Sequence, residues 1–282
     1  METHKKYPIS FIQIKIILID KKKKGFSHVT FLGGEPTLYP NFEDLLVFTK
    51  KLGYKIMLIS NGFGLQTKEN AFKILSNIDE ISLSIHGYNK ETLSYQTGNN
   101  IAYNQLLKVI ENITEFNYLH KNKVYYYANI VINSLNYSHV LDIIKFIQNT
   151  KYPWNQLLVS YIAPEGRALK KYKELSFDFN NFKAYIPEII SLCNSIKIKI
   201  NFFGIPLCVL GEDNIVYSND THWTERNTIE RFTTKDGKVT LIDIYSPDSS
   251  RERSFIDKCI TCKWIKNPCT GIFNKYLEYY KF

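Results

Sequence analysis

The sequence predicts an α/β fold, an incomplete (β/α) barrel built on a parallel sheet. Short apolar runs alternate along the chain with stretches whose apolar residues recur at helical spacing. The runs recur at intervals of roughly 25 to 45 residues, which is typical of repeated βαβ units. Each run ends in glycine, proline or a polar residue, as a strand does where it enters a turn. The pattern shows about five strands with helices between them.

The predicted elements alternate through the first 162 residues. Strands are predicted at 28–32, 55–59, 81–85, 125–132 and 157–162. Helices are predicted at 10–24, 41–52, 68–76, 102–116 and 138–148. Ser10 and Ser138 are expected to cap the helices that they begin. Asn41 is expected to cap the second helix in a capping box with Asp44.

The composition is that of a globular protein. Of the 282 residues, 44% are hydrophobic and 22% are charged, which permits a large core and argues against disorder. The formal net charge is +9, but the densest basic run, 21–24, lies at a predicted helix end, where lysines suit the helix dipole. We therefore expect no nucleic-acid partner.

No segment of the sequence has the properties of a membrane span. No window reaches the ~18–20 uninterrupted apolar residues that a spanning helix needs, and the N-terminus has no apolar signal-peptide core. The apolar stretch 11–19 contains Gln13 and Lys15, and is predicted to be a core helix. We expect a cytoplasmic protein without membrane association.

Polar and glycine residues follow the predicted strands at the point where each strand ends. Parallel strands bring their carboxyl ends to one side of a barrel, and barrel active sites are built there. The sequence therefore predicts a ligand-binding rim from the residues at these ends, namely Gly33-Gly34-Glu35, Ser60-Asn61, His86, Asn133 and Pro164-Glu165.

The pattern changes near residue 170, which divides the chain into a barrel at 1–170 and a small α+β extension at 171–282. The extension is predicted to contain a helix at 177–196, a strand at 197–203 and a hairpin turn at Asp236-Gly237. Cysteines cluster near its end.

Cys259, Cys262 and Cys269 have the compact spacing of metal ligands, and Cys208 could be the fourth. Four thiolates suit either an iron–sulfur cluster or a structural zinc ion, and spacing alone does not separate the two. Cys193 lies on an apolar helical face and is predicted to pack in the core.

Three segments together carry a family resemblance that spans 10–167. The stretch Gly33-Gly34-Glu35-Pro36-Thr37-Leu38, together with Ser60-Asn61-Gly62 and Ser82-Leu83-Ser84-Ile85-His86-Gly87, resembles the radical S-adenosylmethionine (radical SAM) enzymes. The resemblance implies a partial (β/α)6-type barrel that binds S-adenosylmethionine and a [4Fe–4S] cluster. It also implies a 5′-deoxyadenosyl radical that abstracts a substrate hydrogen.

The resemblance assigns roles to individual residues. Gly33, Gly34 and Glu35, with the adjoining Pro36, are expected at the methionyl end of the cofactor. Ser60 and Asn61 are expected near its ribose. Ser84, His86 and Asn133 are expected to line the pocket toward ribose, carboxylate or substrate. The cysteines Cys208, Cys259, Cys262 and Cys269 are expected to hold an auxiliary [4Fe–4S] cluster.

The sequence departs from the family at the primary cluster. Members carry a C-x3-C-x2-C loop after their first strand, but no cysteine precedes Gly33 here. The first strand is also missing from the pattern, so we expect an N-terminally incomplete barrel that is inactive as this truncated chain. A degenerate non-catalytic barrel or a zinc-stabilised binding module is the alternative. For the intact enzyme, the resemblance implies a small-molecule or peptide substrate and an electron donor such as flavodoxin or ferredoxin.

Overall fold

A computed structural model describes residues 9–121, 123–150, 154–219, 230–235, 238–242, 252–266 and 269–281. Its centre is a six-stranded sheet in the order β1 to β6, in which every neighbouring pair is parallel. The strands are β1 (His28–Phe31), β2 (Lys55–Ser60), β3 (Glu80–Ser84), β4 (Tyr125–Ile132), β5 (Gln156–Tyr161) and β6 (Lys199–Phe203). The predicted α/β class and partial six-stranded barrel are confirmed.

Helices connect the strands in chain order. They are α1 (Phe11–Lys23), α2 (Phe42–Lys51), α3 (Lys68–Ser76), α4 (Lys90–Thr97), α5 (Ala102–His120), α6 (Val140–Asn149), α7 (Gly166–Lys170), α8 (Tyr172–Leu175), α9 (Phe179–Lys183), α10 (Ile186–Ser195), α11 (Leu207–Leu210) and, near the C-terminus, α12 (Asn274–Leu277). Short 3-10 turns lie at Pro36–Leu38, Phe63–Leu65, Tyr137–His139, Glu212–Tyr217 and Asp257–Cys259. No helix within the described ranges is both long and apolar enough to cross a bilayer.

The two faces of the sheet differ in chemistry. Side chains alternate between faces along a strand, so residues paired in register share a face. One face is apolar and buried: Leu58, Leu83 and Ala128 are fully inaccessible. Helices α2, α6 and α10 pack on β2, β4 and β6 respectively. This helix-covered face forms the hydrophobic core.

The other face, here called the polar face, carries hydroxyl, amide and charged groups. In a complete (β/α) barrel, the corresponding face lines an interior that is normally filled by branched apolar residues. Residues of the polar face, identified from the strand register, are Met57, Ile59, Glu80, Ser82, Ser84, Tyr125, Tyr127, Asn129, Val131, Gln156, Leu158, Ser160, Lys199, Asn201 and Phe203. A surface of this kind is suited to hold a polar ligand.

Hydrogen bonds tie the polar face together near the amino ends of the strands. Gln156 Nε2 donates to Asn201 Oδ1 at 2.6 Å, and Tyr125 Oη donates to Gln156 Oε1 at 3.4 Å. Glu80 accepts from Tyr127 Oη at 3.2 Å and forms an ion pair with Lys55. These side chains therefore hydrogen-bond one another across neighbouring strands.

Several local predictions are wrong at the helix ends. Asn41 adopts a left-handed conformation (φ 56°) and its side chain caps nothing, so the capping box with Asp44 does not form. Ser138 lies inside a 3-10 turn, and α6 begins at Val140 without a side-chain cap. Ser10 does cap α1, in a capping box with Gln13.

Two helical predictions also need correction. The apolar stretch 11–19 is not a core helix: Leu18 is the buried residue of α1, and Ile12 and Ile16 are 70% and 61% exposed. The single helix predicted at 177–196 is broken into α9 and α10, the second of which has a proline in its first turn.

The sheet continues beyond residue 170, because β6 pairs with β5 along its whole length. The division at that residue remains a prediction, but it falls between adjacent strands of one sheet. Strands β7 (Arg231–Lys235) and β8 (Lys238–Ile242) pair antiparallel as the predicted hairpin requires; Asp236 and Gly237 themselves lie outside the described residues. Strands β9 (Arg253–Ser254) and β10 (Ile272–Phe273) form a second antiparallel pair.

The C-terminal segment is anchored to the main fold by aromatic packing. Tyr276 is fully buried, and its ring stacks on that of Phe179 with 4.4 Å between centroids. Its hydroxyl accepts a hydrogen bond from the Phe179 backbone N–H at 3.1 Å. Tyr280 Oη donates to the backbone oxygen of Ser176 at 3.0 Å.

The substitution Tyr276→Phe should lower the free energy of unfolding by about 1–2 kcal/mol, because it leaves the buried Phe179 N–H without its acceptor. Tyr279→Phe is the matched control, since Tyr279 is 38% exposed and should change stability by less than about 0.5 kcal/mol. Urea denaturation followed by circular dichroism measures both. Equal effects of the two substitutions would contradict this anchoring role.

Candidate functional site

The loop after β1 exposes two successive glycines. Gly33 and Gly34 have φ values of 91° and 58°, which favour glycine over residues that carry a Cβ. A Cβ added at either position would meet no atom within 4 Å. The glycines are therefore required by backbone conformation and not by crowding within the chain, and they leave an open stretch of backbone at the carboxyl end of the sheet.

Glu35 joins this loop to the loop that follows β2. Its Oε1 accepts from the backbone N–H of Thr37 (3.1 Å), from Thr37 Oγ1 (2.6 Å) and from Ser60 Oγ (2.8 Å). Its Oε2 accepts from the backbone N–H of Asn61 at 2.8 Å. The carboxylate is thus occupied by donors of the chain itself, and the exposed backbone of the glycines is left for a ligand.

Thr37 and Gly64 form a second contact between the loops after β1 and β2, which the sequence did not predict. Thr37 Oγ1 also accepts from the Gly64 backbone N–H at 3.0 Å. A Cβ at Gly64 would lie 2.3 Å from the Cβ of Thr37, so only glycine fits there. The pairing of Thr37 with Gly64 fixes the separation of the two loops.

Ser60 and Asn61 shape the second loop. Ser60 is buried, and its Oγ accepts from the Gly62 N–H at 2.9 Å while donating to Glu35. Asn61 is exposed, and its Oδ1 accepts from the Phe63 N–H at 2.9 Å. Both residues donate to the Glu35 carboxylate, which follows Gly33 and Gly34 in the chain. Their placement near a ribose remains a prediction.

Ser84 and His86 lie at the carboxyl end of β3, beside β4. Ser84 is paired in register with Asn129, whose Oδ1 accepts from Ser160 Oγ at 3.1 Å. His86 Nδ1 accepts from the backbone N–H of Val131 at 3.2 Å. Desolvation by the surrounding protein lowers the pKa of His86 to about 4, although part of the side chain remains accessible, so the ring is neutral near pH 7.

Asn133 is buried and its side chain is engaged within the chain. Its Oδ1 accepts from the Leu135 N–H at 2.9 Å, and its amide pairs with that of Gln96 on α4, with Nδ2 donating to Gln96 Oε1 at 3.2 Å. Asn136, which sequence reasoning missed, connects the ends of β3 and β4: its Nδ2 donates to the backbone oxygens of His86 (3.2 Å) and Val131 (3.1 Å). Asn133 therefore shapes the rim, and Asn136 holds two strand ends together.

The four cysteines of the predicted metal site come from α11 and from the segment between β9 and β10. Desolvation raises the pKa of the Cys208 thiol even though the side chain keeps an exposed part, and the charges of Cys269, Cys259 and Cys262 raise it further. Across the described ranges, however, no three histidine, cysteine or acidic side chains are arranged to hold a metal ion.

The substitution Glu35→Gln should lower the free energy of unfolding by about 1–2 kcal/mol, because the amide NH2, at either oxygen position, then faces a backbone N–H of Thr37 or Asn61 that can only donate. Glu43→Gln is the control, because Glu43 is about half exposed and its Lys73 partner is 3.9 Å away. Urea denaturation compares the two. A stability for Glu35→Gln equal to that of the control would show that these hydrogen bonds do not hold the loops.

Because His86 is neutral in the folded protein, the free energy of unfolding should fall as the pH is lowered. Because the folded-state pKa lies below the unfolded value, stability is fully present above about pH 6.5 and falls as the pH drops toward 4. Between pH 7 and pH 5 we expect a loss of about 1–2 kcal/mol that His86→Gln removes. Unfolding curves at both pH values measure it; an identical loss in wild type and His86→Gln would contradict the assignment.

Comparison with known proteins gives one family match and several partial relatives. The model of the radical SAM superfamily matches residues 2–147, more than half of the 282 residues. A probable GTP 3′,8-cyclase of Saccharolobus islandicus is 30% identical over 188 residues, covering 65% of this chain and 57% of the relative. An S-adenosylmethionine-dependent nucleotide dehydratase of Flammeovirga pacifica is 30% identical over 169 residues, covering 57% and 54% respectively.

Solved structures show the same fold. The structure of Streptococcus suis SuiB bound to precursor peptide SuiA has a TM-score of 0.50 and 18% identity, and the match covers 77% of this chain and 45% of that chain. The chain spans little more than half the length of the curated relatives it matches. With the family model matched across β1–β4 and their loops, this chain belongs to the radical SAM superfamily.

Proposed function

We propose that the intact protein is a radical SAM enzyme that acts on a small-molecule or peptide substrate. The observation that carries the proposal is the exposed Gly33-Gly34 backbone, held open beside the polar face by the Glu35 carboxylate. When bound, S-adenosylmethionine and a reduced [4Fe–4S] cluster supply a 5′-deoxyadenosyl radical that abstracts a substrate hydrogen. The names of the curated relatives make a nucleotide one candidate for the substrate.

In this proposal, residues of the chain bind the cofactor and orient it. Backbone groups of Gly33 and Gly34 face the cationic methionyl end of the cofactor, while Ser84 and the Asn129 amide offer hydrogen bonds from the polar face. The apolar face beneath the helices keeps the sheet rigid, so these groups hold their positions.

The primary cluster has no ligands among these 282 residues, because the first cysteine in the sequence is Cys193. The residues present therefore do not fit that cluster, and no step through it is assigned to them. We propose that its C-x3-C-x2-C loop is encoded outside this sequence. The reading frame upstream of Met1 tests this directly: an in-frame motif supports the proposal, and a stop codon immediately upstream contradicts it.

An auxiliary [4Fe–4S] cluster is proposed at Cys208, Cys259, Cys262 and Cys269. Thiolates are the ligands that such clusters take, and hydrogen bonds to their sulfurs tune the potential. The Gly271 N–H lies 3.5 Å from Cys269 Sγ and donates to it. The alternative, a structural zinc ion, takes the same four thiolates, and their spacing does not separate it from the cluster.

Reconstitution with iron and sulfide under anaerobic conditions should load about four irons per chain at these cysteines. Cys262→Ala should lose most of this iron. Cys193→Ala should retain it, because Cys193 is fully buried in the core on α10 and is not one of the four proposed ligands. Metal analysis and absorption spectra measure the loading; zinc at this site instead of iron, or equal iron in the two variants, would contradict the auxiliary cluster.

Gly33→Ala should weaken S-adenosylmethionine binding and cleavage at least tenfold in the reconstituted intact enzyme, because a Cβ would stand on the backbone that faces the cofactor. Gly25→Ala is a closely matched control: its φ of 88° compares with 91° at Gly33, and neither position has a neighbour within 4 Å. Backbone strain is therefore the same in both variants. Equal loss of binding and of 5′-deoxyadenosine formation in the two would contradict the proposed site.

A further inference from the structure

Arg253 lies beside the carboxyl end of β6, at the opposite edge of the sheet from the loop that follows β1. It belongs to β9, where it is paired in register with Phe273 of β10. Phe273 is buried directly against the end of β6, because a Cβ added at Gly204 would lie 3.3 Å from its Cε2 atom. This packing places Arg253 at the end of the sheet where the predicted ligand rim lies.

The Arg253 guanidinium is held in place by contacts with three side chains. Its Cζ atom is 4.4 Å from the centroid of the Phe273 ring and 5.6 Å from that of the Phe203 ring. Its Nη1 donates a hydrogen bond to Thr270 Oγ1. Arg253 is half-buried, and the attraction between a cation and an aromatic ring is stronger where water is excluded. The guanidinium is therefore oriented before any ligand binds.

Phe203 connects Arg253 to the polar face of the sheet. Phe203 is the last residue of β6 and is paired in register with Ser160, which is itself paired with Val131 on β4. The Val131 N–H donates to His86 Nδ1. One row of residues thus crosses the polar face at its carboxyl end, from His86 to Phe203, and Arg253 lies over the ring at the far end of this row.

We propose that Arg253 is a substrate-binding residue whose guanidinium binds an oxyanion of the substrate, a phosphate or a carboxylate. This role rests on the proposed function, which places the cofactor at the opposite edge of the sheet. A guanidinium carries five N–H donors in a planar fork, so it can form two parallel hydrogen bonds to an oxyanion while it also donates to Thr270. The substrate class that fits this residue is an anionic molecule.

The position of Arg253 fits a substrate better than the methionyl end of the cofactor. Gly33 and Gly34 follow β1, whereas Arg253 lies at β6, five strand spacings away. At about 4.8 Å for each spacing, the separation is about 24 Å along the sheet, and curvature of the sheet shortens the straight line. A guanidinium would also repel the sulfonium and ammonium charges of S-adenosylmethionine. A substrate between the two edges can present its anionic group to Arg253 and its reacting carbon to the cofactor.

The same contacts give Arg253 a structural role, because they hold β9 and β10 against the end of β6. The two roles predict different results for three variants. Arg253→Met removes the charge and the donors, whereas Arg253→Lys keeps the charge over the rings but lacks the planar fork. Arg167→Met is the matched control, because Arg167 is an exposed arginine on α7 at the same end of the sheet.

Isothermal titration calorimetry of the reconstituted intact protein, in about 0.15 M salt, measures binding of two probes. Inorganic tripolyphosphate represents a phosphate group, and the peptide tetraglutamate represents a carboxylate. The wild-type protein should bind one of them more tightly, which identifies the anion. Binding of that probe should be at least about 10-fold weaker in Arg253→Met and about 3- to 10-fold weaker in Arg253→Lys. Arg167→Met should change it by less than about twofold, because salt screens an exposed charge.

Three results would overturn the role of Arg253. The first is a wild-type protein that binds neither probe. The second is equal weakening in Arg253→Met and Arg167→Met, which would show that only net charge matters. The third is wild-type affinity for the probe in Arg253→Met with a native circular dichroism spectrum, which would leave the arginine only its structural role. Arg253→Lys provides the test if Arg253→Met does not fold.

Equilibrium dialysis with S-adenosylmethionine separates this inference from the proposed function. Affinity for the cofactor should be the same in wild type and Arg253→Met. Equal losses of cofactor and probe affinity in Arg253→Met would assign the arginine to the cofactor and overturn its role toward the substrate. A wild-type protein that binds the cofactor but neither probe would overturn only the role of Arg253. A wild-type protein that binds a probe through Arg253 but no cofactor would overturn the proposed function and leave the oxyanion site standing.

Discussion

The candidate site depends on the Glu35 carboxylate. It accepts four hydrogen bonds from Thr37, Ser60 and Asn61, and so joins the loops after β1 and β2. Charge-assisted hydrogen bonds of this kind are among the stronger polar contacts in proteins. Because the carboxylate is saturated by the chain, Gly33 and Gly34 can offer their backbone to a ligand without collapsing onto the neighbouring loop.

The contrast between the two faces of the sheet explains why the ligand region lies where it does. The apolar face is closed by α2, α6 and α10, and provides the burial that holds the strands in place. On the polar face, side chains near the amino ends of the strands hydrogen-bond one another, as Gln156 does with Asn201. Ser84 and His86, which the sequence predicted for the rim, lie at the carboxyl end of β3.

The sequence predicted the five strands through 162 and the polar and glycine residues that end them, because apolar periodicity and turn residues are local signals. The sequence did not predict which contacts those residues make. The Thr37–Gly64 contact joins positions 27 residues apart, and nothing local marks it. Asn41 looked like a cap, but its left-handed backbone turns the side chain away. The break before α10 had a visible signal, since proline in a first turn marks a helix start.

The predicted division at residue 170 falls between adjacent strands of one sheet. The strand at 199–203 follows a change of pattern, yet β6 completes the sheet beside β5. Pairing between distant segments depends on the packing of the whole sheet, so the local sequence of one segment does not predict it. The anchoring of Tyr276 on Phe179 likewise joins residues almost a hundred positions apart.

A crystal structure of the intact protein with S-adenosylmethionine tests the central claim most directly. We expect the methionyl ammonium to lie against backbone oxygens of the Gly33–Gly34–Glu35 segment, while the Glu35 carboxylate keeps its hydrogen bonds to Thr37 and Ser60. A carboxylate that has left those partners to bind the ammonium itself would be the contrary result.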